Sequence, residues 1–231
     1  MRLRNLYDEL GLKHGDVCAF IGGGGKTSLI FEIAGSGRAK TLVTTTTKMY
    51  VPECGFFEPD EKIILKDGFA VAARRFNDEK IQGISDEERI NAAKDFELTL
   101  IEADGAKRKP LKIPNDTEPV IPDDTSRIVC VAGMDALNKT IGDVCFRYSL
   151  AGLDPESYVD HKTMAWIINK MCKNYKCSIV LNKADGPEEY IEAQRVAMLL
   201  NREVIIWSTR THYGKPLFLE GDMSLWQLPS S

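Results

Sequence analysis

The stretch Asp16-Val-Cys-Ala-Phe-Ile-Gly-Gly-Gly-Gly-Lys-Thr-Ser-Leu-Ile30 decides the fold of this chain. Its apolar residues 17–21 predict a buried strand, four glycines follow, and Leu29, Ile30 and Ile33 recur at helical spacing. A strand, a glycine-rich loop and a helix start, in this order, can hold a phosphate chain, because backbone N–H groups there face the anion. We therefore predict an α/β fold like that of P-loop nucleoside triphosphatases, with a mainly parallel sheet and helices on both faces.

The residues at the end of the glycine-rich loop suggest how a phosphate chain would be bound. Lys26 would reach the outer phosphates, and the hydroxyl of Thr27 would bind Mg2+. The full predicted phosphate-binding set is Gly22, Gly23, Gly24, Gly25, Lys26, Thr27 and Ser28. The usual pattern, G-x-x-x-x-G-K-[ST], needs a glycine at Phe20, so this G-x-x-G-K-T loop is two residues shorter. A ligand-free connection is the alternative, but four consecutive glycines carry an ordering entropy that a plain turn would not require.

Composition excludes several classes of protein. The hydrophobic content of 43% and charged content of 28% are ordinary for a globular protein, and the net charge of −4 gives no reason to expect nucleic acid as a partner. The N-terminal residues do not resemble a signal peptide, and no apolar run is long enough to span a bilayer, so we expect a cytoplasmic protein without a membrane partner. The six cysteines are scattered, contain no C-x-x-C pair and predict reduced thiols rather than a zinc site or disulfides.

The chain is predicted to be a single nucleotide-binding domain over residues 1–231, because no linker composition marks a boundary. A β-rich insertion is expected at about 51–97 and a helical insert at about 134–176. Asp160 is expected to cap a helix in the helical insert, and residues 1–15 predict a short amphipathic helix.

Within the β-rich insertion, residues 62–66 predict a strand. Residues 69–76 and 80–84 predict a hairpin around a short polar turn. Ser85 and Glu88 are spaced as a capping box, which predicts a helix from this point to about Phe96.

A second landmark is Leu98-Thr-Leu-Ile-Glu-Ala-Asp-Gly105, an apolar strand that ends in acidic residues. We expect this strand beside the phosphate-loop strand, with Asp104 holding Mg2+ directly or through water. Glu102 lies two residues earlier and so on the same side of the strand. A turn formed by Asp-Gly would explain Asp104 alone, whereas a carboxylate inside a buried strand is costly without a cation or donors. The predicted metal ligands are therefore Thr27, Glu102 and Asp104.

The run Thr44-Thr-Thr-Thr-Lys48 ends another predicted strand. In open α/β sheets the carboxyl ends of strands are where ligands bind. Thr46 or Lys48 is therefore a candidate to contact the γ-phosphate, although β-branched strand propensity alone would explain threonines inside the strand. The basic run over residues 105–112 would contact phosphate or a partner, or form a solvated loop, and Arg147 and His161 are further candidates to face the site.

A third landmark is Cys177-Ser-Ile-Val-Leu-Asn-Lys-Ala-Asp185, an apolar strand that ends in N-K-x-D. This motif reads guanine in GTP-binding proteins. The carboxylate of Asp185 would accept from N1–H and the exocyclic amine, and the stem of Lys183 would lie across the base or ribose. With Asn182, and with Ser208 after the last predicted strand, these residues form the candidate base site, which favours GTP over ATP.

These stretches together resemble the YqeC family of selenium-dependent molybdenum hydroxylase accessory proteins. The matching pieces span most of residues 16–210 and are Phe20-Ile-Gly-Gly-Gly-Gly-Lys-Thr27, Leu42-Val-Thr-Thr-Thr-Thr-Lys-Met49, Ile101-Glu-Ala-Asp-Gly-Ala106, Pro110-Leu-Lys112, Glu118-Pro-Val-Ile-Pro122, Gly133-Met-Asp-Ala-Leu137 and Val180-Leu-Asn-Lys-Ala-Asp185. The resemblance implies a P-loop nucleotide-binding fold and a role in maturing a molybdenum enzyme that carries selenium. It implies no particular reaction.

The sequence thus predicts a P-loop nucleoside triphosphatase that binds Mg2+ and GTP (or ATP) and hydrolyses the nucleotide slowly. Its expected catalytic residues are Lys26, Lys48 and Asp104, and its expected partner is a molybdenum hydroxylase or a cofactor-maturation protein. Two alternatives stay open: an ATP-dependent transferase or ligase acting on a small molecule, which the short loop favours, and a nucleotide-sensing scaffold that does not hydrolyse.

Overall fold

The computed structural model describes residues 5–63, 65–210 and 216–217. The helices are α1 (Leu6–Glu9), α2 (Lys26–Ala34), α3 (Asp86–Ala93), α4 (Ile141–Val144), α5 (His161–Met171) and α6 (Pro187–Ala197). The strands are β1 (Val17–Gly22), β2 (Thr41–Thr45), β3 (Lys48–Tyr50), β4 (Phe69–Val71), β5 (Arg74–Arg75), β6 (Lys80–Gln82), β7 (Leu98–Glu102), β8 (Leu111–Lys112), β9 (Arg127–Gly133), β10 (Cys145–Phe146), β11 (Ser178–Asn182), β12 (Val204–Ile206) and β13 (Pro216–Leu217).

The central sheet has the strand order β13-β12-β11-β9-β1-β7-β2-β4. All neighbouring pairs are parallel except β12 and β13, which are antiparallel. The acidic strand β7 therefore lies directly beside β1, the strand that precedes the glycine-rich loop, as the sequence predicted. This arrangement confirms the predicted α/β class with a mainly parallel sheet and is consistent with a P-loop nucleoside triphosphatase fold.

Both faces of the sheet are covered by helices. The strand β1 shows this, because its successive side chains point to opposite faces and are buried on each. Cys18 and Phe20 belong to one buried cluster, together with the apolar face of α2. Ala19 and Ile21 belong to the other, together with the buried residues of α5 and α6. Helices on both faces are therefore confirmed, and the near-continuous apolar run of β1 follows from its burial on two sides.

The β-rich segment differs from its predicted local structure. Residues 62–66 do not form the expected strand in the part of the segment that is described, because Asp67 and Gly68 adopt positive φ and turn the chain back so that Lys66 makes only an isolated bridge to Phe69. The predicted hairpin is also divided. The apolar strand β4 joins the central sheet beside β2, and only β5 and β6 form a hairpin, which pairs with β3 in a separate sheet.

Two predicted helix caps are confirmed. The Ser85 side chain accepts from the Glu88 N–H and the Glu88 carboxylate accepts from the Ser85 N–H, which completes the capping box of α3. The Asp160 side chain accepts from the Thr163 N–H at the start of α5. The helix expected over residues 1–15 is confined to α1, and the part of that prediction before residue 5 lies outside the described residues.

Candidate nucleotide-binding site

Three of the four consecutive glycines, Gly22 to Gly24, lie against neighbouring backbone. A Cβ atom at Gly22 would lie 2.4 Å from the Val131 carbonyl oxygen, one at Gly23 would lie 2.5 Å from that of Lys109, and one at Gly24 would lie 2.1 Å from the Gly133 nitrogen. Such distances exclude any side chain unless the backbone shifts. Close packing therefore requires glycine here, which the entropy argument from sequence did not foresee.

The amides of this loop are largely engaged within the protein. The Gly22 N–H donates to Asp104 Oδ2 over 3.0 Å, the Gly23 N–H to the Val131 carbonyl over 2.9 Å, and the Gly24 N–H to the Lys109 carbonyl over 3.2 Å. The N–H groups in the first turn of α2, which begins at Lys26, have no carbonyl partner inside the helix. An anion is therefore best accommodated at the helix start, beside Lys26, Thr27 and the exposed Ser28.

The Lys26 side chain is buried and surrounded by acceptors. Its Nζ donates to the Gly22 carbonyl over 2.6 Å and lies 3.0 Å from Asp104 Oδ1 and 3.9 Å from Glu102 Oε1. Burial alone would lower the pKa of Lys26, but the negative charges of Asp104 and Glu102 outweigh it and raise the pKa. Lys26 is therefore a protonated, pre-oriented cation at neutral pH.

The two acidic residues at the end of β7 have different surroundings. Glu102 Oε2 accepts from the Thr27 hydroxyl over 2.6 Å. Asp104 is bracketed by Lys26 and by Lys112, whose Nζ lies 3.0 Å from Asp104 Oδ2. A carboxylate beside a hydroxyl suits Mg2+, which binds proteins through one or two such ligands plus water and phosphate oxygens. Glu102 and Thr27 are therefore better placed to bind a metal than Asp104, because each carboxylate oxygen of Asp104 already lies beside a lysine.

The structure contains no complete protein-only metal centre in the ranges it describes. No group of three or more His, Cys, Asp or Glu residues is arranged there to hold an ion. The Glu102 carboxylate and the Thr27 hydroxyl would hold Mg2+ only with further oxygen ligands, such as water or the phosphate oxygens of a ligand.

Thr46 and Lys48 have different surroundings in the structure, and only Thr46 lies at the end of the acidic strand. The Thr46 N–H donates to the Glu102 carbonyl over 3.1 Å and its hydroxyl to the Val120 carbonyl over 2.7 Å, so Thr46 lies at the acidic strand end. Lys48 is exposed on β3, and its Nζ lies 3.4 Å from the centre of the Phe76 ring. Lys48 therefore does not belong to the group of charges around Lys26.

The candidate base residues lie at the same edge of the sheet, after β11 and β12. The buried Asn182 donates from Nδ2 to the Gly24 carbonyl over 2.9 Å and so joins β11 to the glycine-rich loop. Lys183 has a φ of 64° and pairs with Asp135 over 2.7 Å. The Ser208 hydroxyl donates to Asp185 Oδ1 over 2.6 Å. The carboxyl ends of four neighbouring parallel strands thus bring the three sequence landmarks together.

Comparison with known proteins shows the family of this chain. The family model described as "YqeC protein" matches residues 18–149, which is more than half of the chain. The chain belongs to the YqeC family. It is 31% identical over 173 residues to a protein of Escherichia coli (strain K12) named "Uncharacterized protein YqeC", an alignment that covers 66% of this chain and 67% of that relative. The family predicted from the sequence motifs is therefore confirmed, and the match includes the glycine-rich loop and the acidic strand.

Sequence reasoning missed three charged residues that lie around the candidate site of this YqeC family member. They are Lys112, Glu118 and Asp135, which pair with Asp104, Arg147 and Lys183, respectively. The basic run over residues 105–112 was a signal for Lys112, but nothing local distinguishes this buried lysine from the exposed Lys107 and Arg108 of the same run. The sequence candidate His161 lies elsewhere, on α5, where its Nε2 is 2.5 Å from Glu192 Oε2.

A cleft of about 690 Å3 lies at the opposite edge of the sheet, where β1, β9, β11 and β12 begin. It contains the Asp16–Arg127 ion pair, with 2.8 Å between Oδ2 and Nε. Burial favours a higher pKa for Asp16, but hydrogen bonds from Ser126, Lys13 and Arg127 reverse this effect and lower it. None of the sequence landmarks ends at this edge, so we place the candidate site at the carboxyl ends of the strands.

None of the helices in the described part of the chain has the length and apolar composition needed to cross a bilayer.

Proposed function

We propose that the protein binds a nucleoside triphosphate with Mg2+, with GTP favoured, and hydrolyses it slowly. The observation that carries this proposal is the pair formed by the Thr27 hydroxyl and Glu102 Oε2, 2.6 Å apart, beside the buried cation of Lys26 at the start of α2. Anion-binding amides, a lysine and a hydroxyl–carboxylate pair are the groups that a Mg2+–triphosphate requires. When bound, Mg2+ would neutralise phosphate charge and fix the geometry of the phosphate chain.

Each residue around the helix start has a defined role in this proposal. Lys26 turns from Asp104 and Glu102 to neutralise the β- and γ-phosphate oxygens. Thr27 and Glu102 hold the metal, and Asp104 acts on it through water. Thr46, at the acidic strand end, senses the γ-phosphate, and Lys48 can do so only if β3 approaches the site.

Turnover should be slow because catalysis of phosphoryl transfer depends on positioning both the phosphate and the attacking water. Lys26 and the helix start position the phosphate. Among the described residues around them, none is a clear candidate to orient the water. A partner that supplies such a group would accelerate hydrolysis.

Preference for guanine is supported by Asp185. Its carboxylate lies at the edge that also carries the phosphate loop, and Ser208 orients it through a hydrogen bond. A carboxylate there accepts from guanine N1–H and the exocyclic amine, a donor pair that adenine does not present. Asn182 sets the distance between the base site and the phosphate loop through its bond to the Gly24 carbonyl.

The proposed biological role is the maturation of a selenium-dependent molybdenum hydroxylase in the cytoplasm, with nucleotide turnover driving cofactor insertion or transfer between partners. This role rests on the family resemblance carried by the strings at residues 42–49 and 101–106. The partner would be the hydroxylase or one of its cofactor-maturation proteins.

Two alternative functions are each favoured by a specific observation. The short G-x-x-G-K-T loop favours an ATP-dependent transferase or ligase, which would move phosphate to an acceptor other than water. The lack of a clear water-orienting residue in the described part of the site favours a nucleotide-sensing scaffold, which would capture a hydroxylase in a nucleotide-dependent way without releasing phosphate.

Calorimetric titration of GTP and ATP, each with Mg2+, tests the proposal on the wild type and on Asp185→Asn. The wild type should bind GTP more tightly than ATP. Asp185→Asn should lose about tenfold or more in GTP affinity, because a charged acceptor is replaced by an amide, and should leave ATP affinity unchanged. Asp78→Asn makes the same chemical change at the exposed tip of the β5–β6 hairpin and is the matched control. ATP binding equal to GTP binding and indifferent to Asp185 would favour the transferase or ligase.

A further inference from the structure

The carboxylate of Asp104 lies between two buried lysines. Lys26 Nζ is 3.0 Å from its Oδ1, and Lys112 Nζ is 3.0 Å from its Oδ2. The exposed fractions of the Lys112, Asp104 and Lys26 side chains are 1%, 2% and 4%. A lysine is rarely buried so completely unless its charge is balanced, so we count Lys112 as an integral member of this charge cluster.

The cluster continues outward as a chain of alternating charges. Lys112 Nζ also lies 3.2 Å from Glu118 Oε2, which in turn lies 2.8 Å from Arg147 Nη1. The chain therefore runs from Lys26 through Asp104, Lys112 and Glu118 to Arg147. With Glu102 beside Lys26 it contains three cations and three anions, and its net charge is zero.

This balance determines how easily Lys26 can turn to a phosphate. Lys26 is attracted to two carboxylates, those of Asp104 and Glu102. Lys112 neutralises Asp104 from its other side and holds it against the Gly22 N–H, to which Asp104 Oδ2 is bound over 3.0 Å. Without Lys112, Lys26 alone would compensate both carboxylates, and an arriving triphosphate would meet an uncompensated negative charge.

We infer that Lys112 is a positioning residue for Lys26, an inference that rests on the proposed function and adds a second lysine to the phosphate site. Lys112 does not contact the nucleotide. It keeps Asp104 neutralised and fixed, so that Lys26 is free to bind the outer phosphates.

The test is calorimetric titration of Mg2+–GTP and Mg2+–GDP into the wild type, Lys112→Met, Glu118→Gln and the double variant. Lys112→Met leaves the cluster with a net charge of −1 and should bind GTP about tenfold more weakly, with a smaller loss for GDP, because Lys26 serves the outer phosphates. Glu118→Gln makes the cluster +1 and should bind GTP as tightly as the wild type or more tightly. The double variant returns the cluster to zero and should recover much of the affinity lost in Lys112→Met.

The different effects of the two single variants on GTP affinity, a loss for Lys112→Met and no loss for Glu118→Gln, distinguish positioning from a structural role. If Lys112 only stabilised the fold, both single variants would weaken binding, since each removes one partner of the same ion pair, and GDP and GTP would suffer equally. Either result overturns the inference, as does a Lys112→Met protein that binds GTP like the wild type. If Lys112→Met does not fold, as judged by circular dichroism and urea unfolding, weakened GTP binding by Glu118→Gln is sufficient to refute it. A wild type that binds neither GTP nor ATP would refute the proposed function and this inference together.

Discussion

Replacing Gly24 with alanine tests whether the glycine loop is held by packing, as the structure indicates. Gly24 has a φ of 71°, and a Cβ atom added there would lie 2.1 Å from the Gly133 nitrogen and 2.6 Å from the Gly133 Cα. Both atoms belong to the end of β9, so no flexible side chain can move aside. The β1–α2 loop or the end of β9 would have to shift.

Gly37→Ala is a matched control for this variant. Gly37, after α2, has nearly the same φ, 68°, and a Cβ atom there meets no atom within 4 Å. The free energy of unfolding of Gly37→Ala should fall only by the cost of an alanine in left-handed conformation, about 1 kcal/mol. Gly24→Ala carries the same cost plus that of overpacking against backbone, typically about 1–3 kcal/mol, so we expect a total loss of about 2–4 kcal/mol. That is a large part of the roughly 5–15 kcal/mol by which domains are stable.

Urea unfolding followed by circular dichroism would measure both losses against the wild type. The expected result is a midpoint for Gly24→Ala well below that of Gly37→Ala, with similar slopes. If the two variants lose equal stability, the loop is not packed against β9 as described. The glycines would then be needed for backbone conformation alone.

Two further predictions concern the metal pair and a helix cap. Thr27→Val should weaken GTP binding about tenfold in Mg2+ and leave binding in EDTA unchanged, because only the metal ligand is lost; calorimetry in both buffers measures this, and an equal loss in both would argue against Thr27 as a ligand. Asp160→Ala should destabilise the protein by about 1 kcal/mol at pH 7 in urea unfolding, because the side chain caps α5. Hydrogen bonding to Thr163 lowers the Asp160 pKa from its ordinary 3.8, so this stabilisation is present above that value and is lost as the pH falls through the lowered folded-state pKa; a deficit that persisted unchanged below that pKa would contradict this reasoning.

Local patterns predicted the α/β class, the family, the β1 strand with the glycine-rich loop after it, and the helix caps at Ser85 and Asp160. These features depend on neighbours in sequence, such as an apolar run, a capping box or a glycine cluster. The β-rich segment was predicted less well, because Phe69-Ala-Val71 can pair with a hairpin partner or with a distant parallel strand. Only burial in the assembled sheet decides between them.

The same division applies to the candidate site. The sequence alone determined which chemical groups end the strands: Lys26 and Thr27, the carboxylates of Glu102 and Asp104, and the N-K-A-D motif. Tertiary structure decided how they are used. In the folded chain the Glu102 carboxylate accepts from the Thr27 hydroxyl, and Asp104 lies between Lys26 and Lys112, which is distant in sequence from Lys26. Lys48 lies in a separate sheet. The physical reason is that a charge's partner is chosen by proximity in space and by the cost of burying it alone, neither of which is encoded by spacing along the chain.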